Sequence, residues 1–235
     1  MIDILNSLDA DLLLFFNGLH TGFFDRFMVL ASSRWVWLPM YCGLFMILMR
    51  ITSPKMTLLY SVGLFFAIAL TDQTCATLIR PAIERMRPSN PDNPLSALVH
   101  IVDGYRGGRY GFPSCHGANS AALLVFMGCV MRRRLYVWVL ASWTLLHVYS
   151  RIYLGVHYPG DIICGAAIGS VISYSCYRIA AWFDNETDMQ RRDKIGVPVF
   201  AVPLGKGRGL PVSAGGAYIT IYVGSLAVML CDAAV

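Results

Sequence analysis

Charged residues are scarce in this sequence. Asp, Glu, Lys and Arg make up 14% of the 235 residues, whereas 56% of the residues are hydrophobic. A soluble domain usually carries about 25% charged residues. The composition therefore argues against a soluble enzyme and predicts an all-α fold, an integral membrane helical bundle. The length allows one domain of five or six spans of about 20 residues each, together with their loops.

The sequence also lacks the usual motifs for metals, nucleotides and nucleic acids. It contains no C-x-x-C pair, which argues against a zinc site or a disulfide framework, and no P-loop or carboxylate cluster suited to Mg²⁺. Its net charge of +5 is not concentrated in a long basic tract, so nucleic acid is not an expected partner. We expect no metal, no cofactor and no required protein partner. The seven cysteines are scattered singly, at Cys42, Cys75, Cys115, Cys129, Cys164, Cys176 and Cys231.

Composition divides the chain into three parts. Residues 1–26 form an amphipathic N-terminal segment with several acidic positions, which predicts a helix lying at the membrane surface. A poorly hydrophobic first span is the alternative for this segment. Residues 27–183 form the membrane-embedded core, and residues 184–235 form a polar tail with a possible short terminal span. The spans predicted within the core are 27–49, 56–79, 114–131, 134–153 and 159–183.

Short basic loops predict the orientation of these spans. Positive residues accumulate in cytoplasmic loops, and all the basic clusters fall on one side of the predicted bundle. The 80–113 loop and the 150–161 stretch then share the opposite side. We expect a multi-pass membrane protein in which that opposite side faces outward. The clusters are Arg50 with Lys55, Arg132 to Arg134, and Arg178 with Arg191, Arg192 and Lys194.

Three polar stretches interrupt the apolar pattern on the predicted outer side. They read RPAIERMRP at 80–88, FPSCHGANS at 112–120 and SRIYLGVHYPGD at 150–161. Ionisable residues beside apolar spans are expensive, so such residues are functional candidates. The candidates are Arg80, Arg87 and Arg151, His116 and His157, Asp161, and the turn made by Ser114, Cys115 and Gly117.

This combination of residue types indicates phosphoryl transfer. The transition state of that reaction spreads negative charge over several oxygens, so catalysis depends on positioning and electrostatic stabilisation. Arginine binds phosphate through planar, bidentate hydrogen bonds, which suits Arg80, Arg87 and Arg151 to that task. Ser114 and the backbone N–H groups that follow it would begin a helix, whose N-terminus attracts an anion.

The two histidines suit different steps of such a reaction. His157 lies just before Pro159, which is typical of the first turn of a helix. Asp161 can accept a hydrogen bond from one imidazole nitrogen and leave the other facing phosphorus, which makes His157 the candidate nucleophile. His116 has no neighbouring carboxylate in the sequence and suits a general acid that protonates the leaving oxygen.

The order and spacing of these residues resemble the three signatures of the type 2 phosphatidic acid phosphatases. The resemblance extends over residues 56–183, with Arg80-x6-Arg87-Pro88 first and Pro113-Ser114-Cys115-His116 second. Ser150-Arg151-x5-His157-x3-Asp161 follows as the third signature. The resemblance implies metal-free hydrolysis of a lipid phosphate or diphosphate through a phospho-histidine intermediate, with the lipid bilayer and the lipid phosphate as partners.

The chain departs from the family pattern at two positions. Arg80 stands where the family usually has lysine, which keeps the charge but changes the geometry. Cys115 stands where the family usually has glycine, so that a side chain must fit beside the phosphate. Neither change removes a catalytic atom.

Several other polar residues lie outside the three signatures. Arg106 and Arg109 in the long loop are possible contacts of the substrate headgroup, and a well-packed loop is the alternative. Arg85 has no position in the motif and is interpreted as an interfacial anchor. Asp72, inside a predicted span, could pair with an arginine of the site or cap a helix beside it. His147 lies on an apolar helix face and is interpreted as structural.

The substrate is predicted only by class. Lipid A and undecaprenyl diphosphate are favoured because the compact loops leave little room for another domain. Transfer of the phosphate to a second lipid is an alternative within the same chemistry. A transporter is a less favoured alternative, because its charges would extend through the depth of the bilayer rather than gather on one side.

Overall fold

Helix-starting signals in the sequence define most of the architecture. The computed structural model describes residues 2–184, 198–203 and 209–234. A proline occupies one of the first two positions of several helices, and serine or threonine side chains cap others. The helices are α1 (Ile2–Asn17), α2 (Gly22–Ser32), α3 (Leu38–Ile51), α4 (Pro54–Gln73), α5 (Arg80–Ile83), α6 (Cys115–Met131), α7 (Arg134–Tyr153), α8 (Pro159–Trp182) and α9 (Ala214–Ala233).

The predicted all-α fold class is confirmed. Among the described residues, the strands are confined to an antiparallel pair, β1 (Pro198–Pro203) and β2 (Gly209–Ser213), within the predicted polar tail. The predicted spans 114–131, 134–153 and 159–183 agree with α6, α7 and α8 to within a residue at each end. Arg191, Arg192 and Lys194, which supported the predicted orientation, lie outside the described residues.

The prediction of one continuous helix over residues 27–49 is wrong. α2 ends at Ser32 and α3 begins at Leu38. Pro39 at the start of α3 favours a new helix, because proline lacks the N–H that would continue the preceding one. The Trp37 indole N–H donates to the carbonyl of Ala31 at 2.9 Å and thereby satisfies a free carbonyl at the end of α2. Ser32 and Ser33 face a cavity at this break.

The second predicted span continues beyond its predicted end at residue 79. A π-helical turn, Thr74–Ile79, joins α4 to α5, so that the helical run Pro54–Ile83 is 30 residues long. The Arg80 side chain therefore projects from a helix rather than from a loop. Such π-helical segments are frequent at functional sites, because the wider turn redirects the side chains that follow it.

Within the described residues, three helices are long and apolar enough to cross a membrane by length and composition. They are Pro54–Ile83, Pro159–Trp182 and Ala214–Ala233, and α3 and α6 are shorter apolar helices. Large apolar side chains such as Leu58, Leu145 and Val171 are exposed on the outside of the bundle, as expected for surfaces that face lipid. The protein is thus a membrane protein, and its sixth predicted span is matched by α9. The total of five or six spans remains a prediction.

Glycines allow α6 and α8 to approach each other closely. A Cβ atom added to Gly165 would lie 2.4 Å from the Ser114 carbonyl oxygen. A Cβ atom added to Gly169 would lie 2.0 Å from the Ala118 carbonyl oxygen. Gly165 and Gly169 form a G-x3-G pattern, which brings two helix backbones together in a membrane. This contact fixes the beginning of α6 against the beginning of α8, where the polar stretches lie.

We expect Gly169→Val to destabilise the protein strongly. The added side chain overlaps the α6 backbone, which cannot move without separating the two helices. The measurement is the thermal unfolding midpoint of the purified protein in detergent, together with its yield. Gly224→Ala on α9 is the control, because a Cβ atom at Gly224 meets nothing within 4 Å. Equal midpoints for the two variants would contradict the close packing of α6 and α8.

The N-terminal segment contains α1, which packs against α7, α8 and the long loop. Leu13 is fully buried and forms a small apolar cluster with Val99 of the loop and Tyr158. The Asn17 side chain donates to the carbonyls of His100 and Tyr153 at 3.0 and 2.6 Å. α1 is therefore part of the folded core on the side of the site. Its position at a membrane surface remains a prediction.

Candidate active site

The fold brings the three polar stretches together at one end of the bundle. The helical run that ends in α5 contributes Arg80, and the loop after it contributes Arg87. The N-terminus of α6 contributes residues 114–117, and the last turn of α7 contributes Arg151. His157 and Asp161 lie before and within the first turn of α8. His157 is close enough to all three arginines for their charges to act on it. The sequence prediction of a single convergent site is supported by this placement.

His157 is almost fully enclosed, with 1% of its side chain exposed. Its Nε2 atom lies 2.9 Å from Arg87 Nη1, and because a guanidinium can only donate, Nε2 is the acceptor. The ring proton of the neutral imidazole is then on Nδ1. That atom lies 3.5 Å from Asp161 Oδ2, which is longer than a normal hydrogen bond. Nε2 therefore carries the ring electron pair, which accepts the hydrogen bond of Arg87.

The environment of His157 favours its neutral form. Burial, followed by the positive charges of Arg87, Arg151 and Arg80, holds the pKa of His157 well below its ordinary value. Burial and the neighbouring charges of Arg80 and Arg151 also lower the pKa of Arg87, to about 10. Arginines crowded in this way are poised to bind an anion, because a bound phosphate would relieve their mutual repulsion.

This electrostatic arrangement predicts the pH dependence of the enzyme. Removing the charge of Arg87 in Arg87→Met should raise the pKa of His157, because an imidazolium would be less strongly repelled. We expect protonation of His157 to remove activity on the acidic side of the kcat/KM profile, and this acidic limb should therefore move to higher pH than in the wild type. Comparing the two proteins on the same lipid cancels the ionisation of the substrate. Arg26→Met, at an exposed position on α2, is the control. An unmoved limb in Arg87→Met would contradict this coupling.

Asp161 is completely buried, and its main partner is Arg85 rather than His157. Arg85 Nη1 donates to Asp161 Oδ1 at 2.8 Å, and the Tyr158 backbone N–H donates to Oδ2 at 3.0 Å. Arg85 Nη2 donates to Asp9 Oδ2 at 2.7 Å. The interpretation of Arg85 as an interfacial anchor is therefore wrong. Sequence spacing gave no sign of this pairing, because Arg85 and Asp9 are 76 residues apart.

Arg151 is held in place by two residues that the sequence did not indicate. Its guanidinium donates to Ser32 Oγ at the end of α2, and to the Tyr105 hydroxyl at 3.1 Å. It also lies 5.6 Å from the centre of the Tyr105 ring. Although burial alone would raise the pKa of Tyr105, the charge of Arg151 lowers it. Arg151 is thus buried with its orientation fixed from two sides.

Arg80 contacts the second polar stretch directly. Its Nη2 atom donates to the Pro113 carbonyl at 3.0 Å and to Cys115 Sγ at 2.9 Å. The cysteine that replaces the usual family glycine therefore fits beside the arginine that replaces the usual lysine. All seven cysteines, Cys115 included, are free thiols.

Ser114 begins α6 as predicted. Its Oγ accepts a hydrogen bond from the Gly117 N–H at 3.2 Å, so that this N–H is used by the helix cap. A Cβ atom at Gly117 would lie 2.9 Å from the Ile162 carbonyl oxygen, which gives this glycine a second role in the packing of α6 against α8. The binding of phosphate by Ser114, Cys115 and Gly117 stays a prediction.

His116 lines a large cavity between α3, α4, α6 and α7. The cavity has a volume of about 910 Å³, with Arg151 and Tyr105 at its polar end and residues such as Leu44, Phe65 and Met127 along its apolar walls. His116 makes no hydrogen bond to protein within the described part of the chain, and its ring lies 5.6 Å from that of His147. His116 is therefore available to a ligand in the cavity.

The remaining candidates lie around this centre. His147 has the predicted structural environment, with Nδ1 3.0 Å from the Ala31 carbonyl and its ring stacked on Trp143. Asp72 accepts a hydrogen bond from Asn119 at 3.2 Å on the cavity wall. Asp72 thus pairs with the Asn119 amide rather than with an arginine of the site.

Arg106 and Arg109 lie in the loop outside this centre. Arg106 Nη1 donates to the Ser89 carbonyl at 2.7 Å, and the exposed Arg109 lies 3.9 Å from Asp92. The contact of either arginine with a headgroup stays a prediction. Over residues 2–184, 198–203 and 209–234, no group of three His, Cys, Asp or Glu side chains is placed to hold a metal ion.

Comparison with known proteins supports the same chemistry. A family model for the PAP2 superfamily matches residues 57–184. A lipid A 4'-phosphatase of Bacteroides thetaiotaomicron is 44% identical over 180 residues, which is 77% of this chain and 80% of that protein. A lipid A 4'-phosphatase of Porphyromonas gingivalis is 34% identical over 175 residues, or 74% and 73% of the two chains. An undecaprenyl-diphosphatase of Sulfolobus acidocaldarius is 30% identical over 152 residues, or 63% and 65%. No solved structure matches the chain.

Proposed function

Because this chain belongs to the PAP2 superfamily and is a lipid phosphatase, we propose that it removes the 4'-phosphate of lipid A. The resemblance to the type 2 phosphatidic acid phosphatases is thereby confirmed. The single observation that carries the substrate proposal is the 44% identity with a lipid A 4'-phosphatase over four fifths of that protein. A second relative of the same name, at 34% identity, supports it.

The reaction is proposed to begin with attack by His157 Nε2 on phosphorus. A new N–P bond forms while the bond between phosphorus and the leaving sugar oxygen breaks, and His116 gives its proton to that oxygen. Arg80, Arg87 and Arg151 hold the equatorial oxygens and neutralise their growing charge. This assignment is supported by the electron pair of Nε2, which points at Arg87 Nη1 2.9 Å away, where that arginine would hold the phosphate.

The phospho-histidine is then hydrolysed by water. His116, now without its proton, takes a proton from the water molecule as the water oxygen attacks phosphorus, and the N–P bond breaks. Inorganic phosphate leaves, and both histidines return to their starting states. Asp161 stabilises the positive charge that the His157 ring carries in the phospho-histidine intermediate, since its Oδ2 atom faces Nδ1.

The cavity supports an acylated substrate. Its volume of about 910 Å³ is at the upper end of the range typical of small-molecule sites, about 300–1,000 Å³. Its apolar walls begin beside His116 and Arg151, so a hydrocarbon chain can lie in it while the phosphate meets the arginines. The same chemistry would accept other lipid phosphates. Because one relative is an undecaprenyl-diphosphatase, undecaprenyl diphosphate serves as the comparison substrate.

The site is proposed to face the periplasm. The arginine cluster Arg132 to Arg134 begins α7, whereas Arg151 ends it, so the two lie at opposite ends of one helix of 20 residues. Positive residues favour the cytoplasmic side, which puts the end with Arg151 outside. The membrane would be the bacterial inner membrane.

The test is a substrate panel with the purified protein in detergent. Lipid A carrying both phosphates, undecaprenyl diphosphate and phosphatidic acid are compared by release of inorganic phosphate, and fragmentation mass spectrometry identifies the sugar that loses phosphate. We expect kcat/KM for lipid A to exceed the other values by at least about tenfold, or ~1.4 kcal/mol, with loss from the 4' position. Preference for another lipid, or loss from the 1 position, would refute the substrate proposal.

A further inference from the structure

Two successive ion pairs connect the buried Asp161 carboxylate to partly exposed residues at the surface of the site. Asp161 is 0% exposed, Asp9 is 12% exposed, and Arg85 lies between them with 22% exposed. A buried carboxylate is costly unless it is paired and hydrogen-bonded. Arg85 supplies that pairing through Nη1 at 2.8 Å and uses Nη2 for Asp9 at 2.7 Å. The two terminal nitrogens of the Arg85 guanidinium therefore bind two different carboxylates.

The guanidinium of Arg85 is also fixed from its face. It lies 4.0 Å from the centre of the Tyr158 ring, which is a favourable distance for a cation–π contact. Two carboxylates in its plane and a ring against its face leave the group a single orientation. Since Nη1 holds Oδ1 of Asp161, the other oxygen, Oδ2, is turned toward the Tyr158 N–H and His157 Nδ1.

Asp9 holds the same helix end by a second contact. Its Oδ1 atom accepts a hydrogen bond from the Gly160 N–H at 2.7 Å, in the first turn of α8. A Cβ atom at Gly160 would lie 2.7 Å from Asp9 Oδ2, so a larger residue there would displace the Asp9 carboxylate from this position. A carboxylate is stabilising at a helix N-terminus, where the N–H groups and the dipole are positive. Here it comes from α1, about 150 residues away in the sequence.

We propose that Arg85 and Asp9 are positioning residues for the phosphatase reaction. Arg85 orients the Asp161 carboxylate toward His157, and Asp9 holds both Arg85 and the first turn of α8 in the orientation that this requires. The N-terminal helix thus completes the site, although neither residue belongs to the three signatures. This inference rests on the proposed roles of Asp161 and His157.

The test compares Arg85→Gln and Asp9→Asn with wild type in detergent, on lipid A and on phosphatidic acid as a second probe. We expect kcat to fall about 10- to 100-fold for Arg85→Gln and about tenfold for Asp9→Asn, while KM changes by less than about threefold. The matched controls are Arg26→Gln and Asp11→Asn, which change exposed residues of the same types. Both controls should retain wild-type kcat.

A double mutant distinguishes a positioning role of Arg85 from a purely structural role. If Arg85 acts through Asp161, adding Arg85→Gln to Asp161→Asn should cost less than about threefold further, whereas independent effects would multiply. Full multiplication, or near-wild-type kcat in Arg85→Gln, overturns the inference. If Arg85→Gln is unstable by thermal unfolding, the nearly isosteric Asp9→Asn replaces it in the same comparison.

The His157→Ala variant distinguishes a failure of this inference from a failure of the proposed function. If His157→Ala keeps wild-type activity, the proposed mechanism is wrong. If His157→Ala is inactive but both positioning variants are fully active, only this inference is wrong. Loss of activity on both lipids in Arg85→Gln supports it, whichever lipid is preferred.

Discussion

Replacing His157 with alanine is expected to lower the rate of phosphate release by about 10⁴-fold or more. The imidazole is enclosed, with Nε2 2.9 Å from Arg87 Nη1, and among the histidines it alone lies beside Asp161. Without it, no phospho-histidine can form, and the remaining arginines can only bind the substrate. The measurement is release of inorganic phosphate by purified protein in detergent, with a rapid acid-free quench to look for the phosphorylated intermediate.

The matched control for this prediction is His20→Ala. His20 is exposed and stacks on His100, with ring centres 3.8 Å apart, on the outside of the site. Its variant should retain activity and form the intermediate. If His157→Ala instead released phosphate at the wild-type rate, the nucleophile would have to be another group, and His116 in the cavity would be the next residue to test.

Replacing Arg151 is expected to give the second largest loss. Arg151→Met removes a donor that we propose binds the phosphate, and it should lower kcat/KM by about 10²- to 10³-fold. Arg151→Lys should recover only a small part of that loss, because an ammonium group cannot bond Ser32 Oγ, Tyr105 and a phosphate oxygen with the geometry of a planar fork. The measurement is the kcat/KM of both variants on the same lipid.

The control for Arg151 is Arg178→Met. Arg178 is an exposed arginine near the far end of α8, where it contacts the Tyr174 hydroxyl at 3.2 Å. Its removal should leave kcat/KM unchanged. Full activity in Arg151→Lys would show that charge alone is needed at this position, which would contradict a role that depends on orientation.

The sequence determined the local features of this protein. Composition fixed the membrane class, and the bounds of α6, α7 and α8 followed from residues adjacent in the chain: the Ser114 cap, the Arg132 to Arg134 cluster and Pro159. The spacing within each signature brought His157 and Asp161 to one helix start. These predictions succeeded because they depend on contacts within a few residues, whose geometry the helix repeat imposes.

Only the tertiary structure decided how those residues are held. Ser32 reaches Arg151 across 119 residues, and Asp9 reaches Arg85 across 76. The sequence around these residues carries no motif that would mark them. Nothing therefore distinguishes Asp9 from Asp11, or Arg85 from an interfacial anchor, until α1 packs on α8. The residues of the site could thus be predicted from short motifs, because helical spacing places residues that are close in the sequence next to one another. Their orientation depended on contacts between distant segments, because burying the Asp161 charge requires a partner and the folded bundle selects which arginine can reach it.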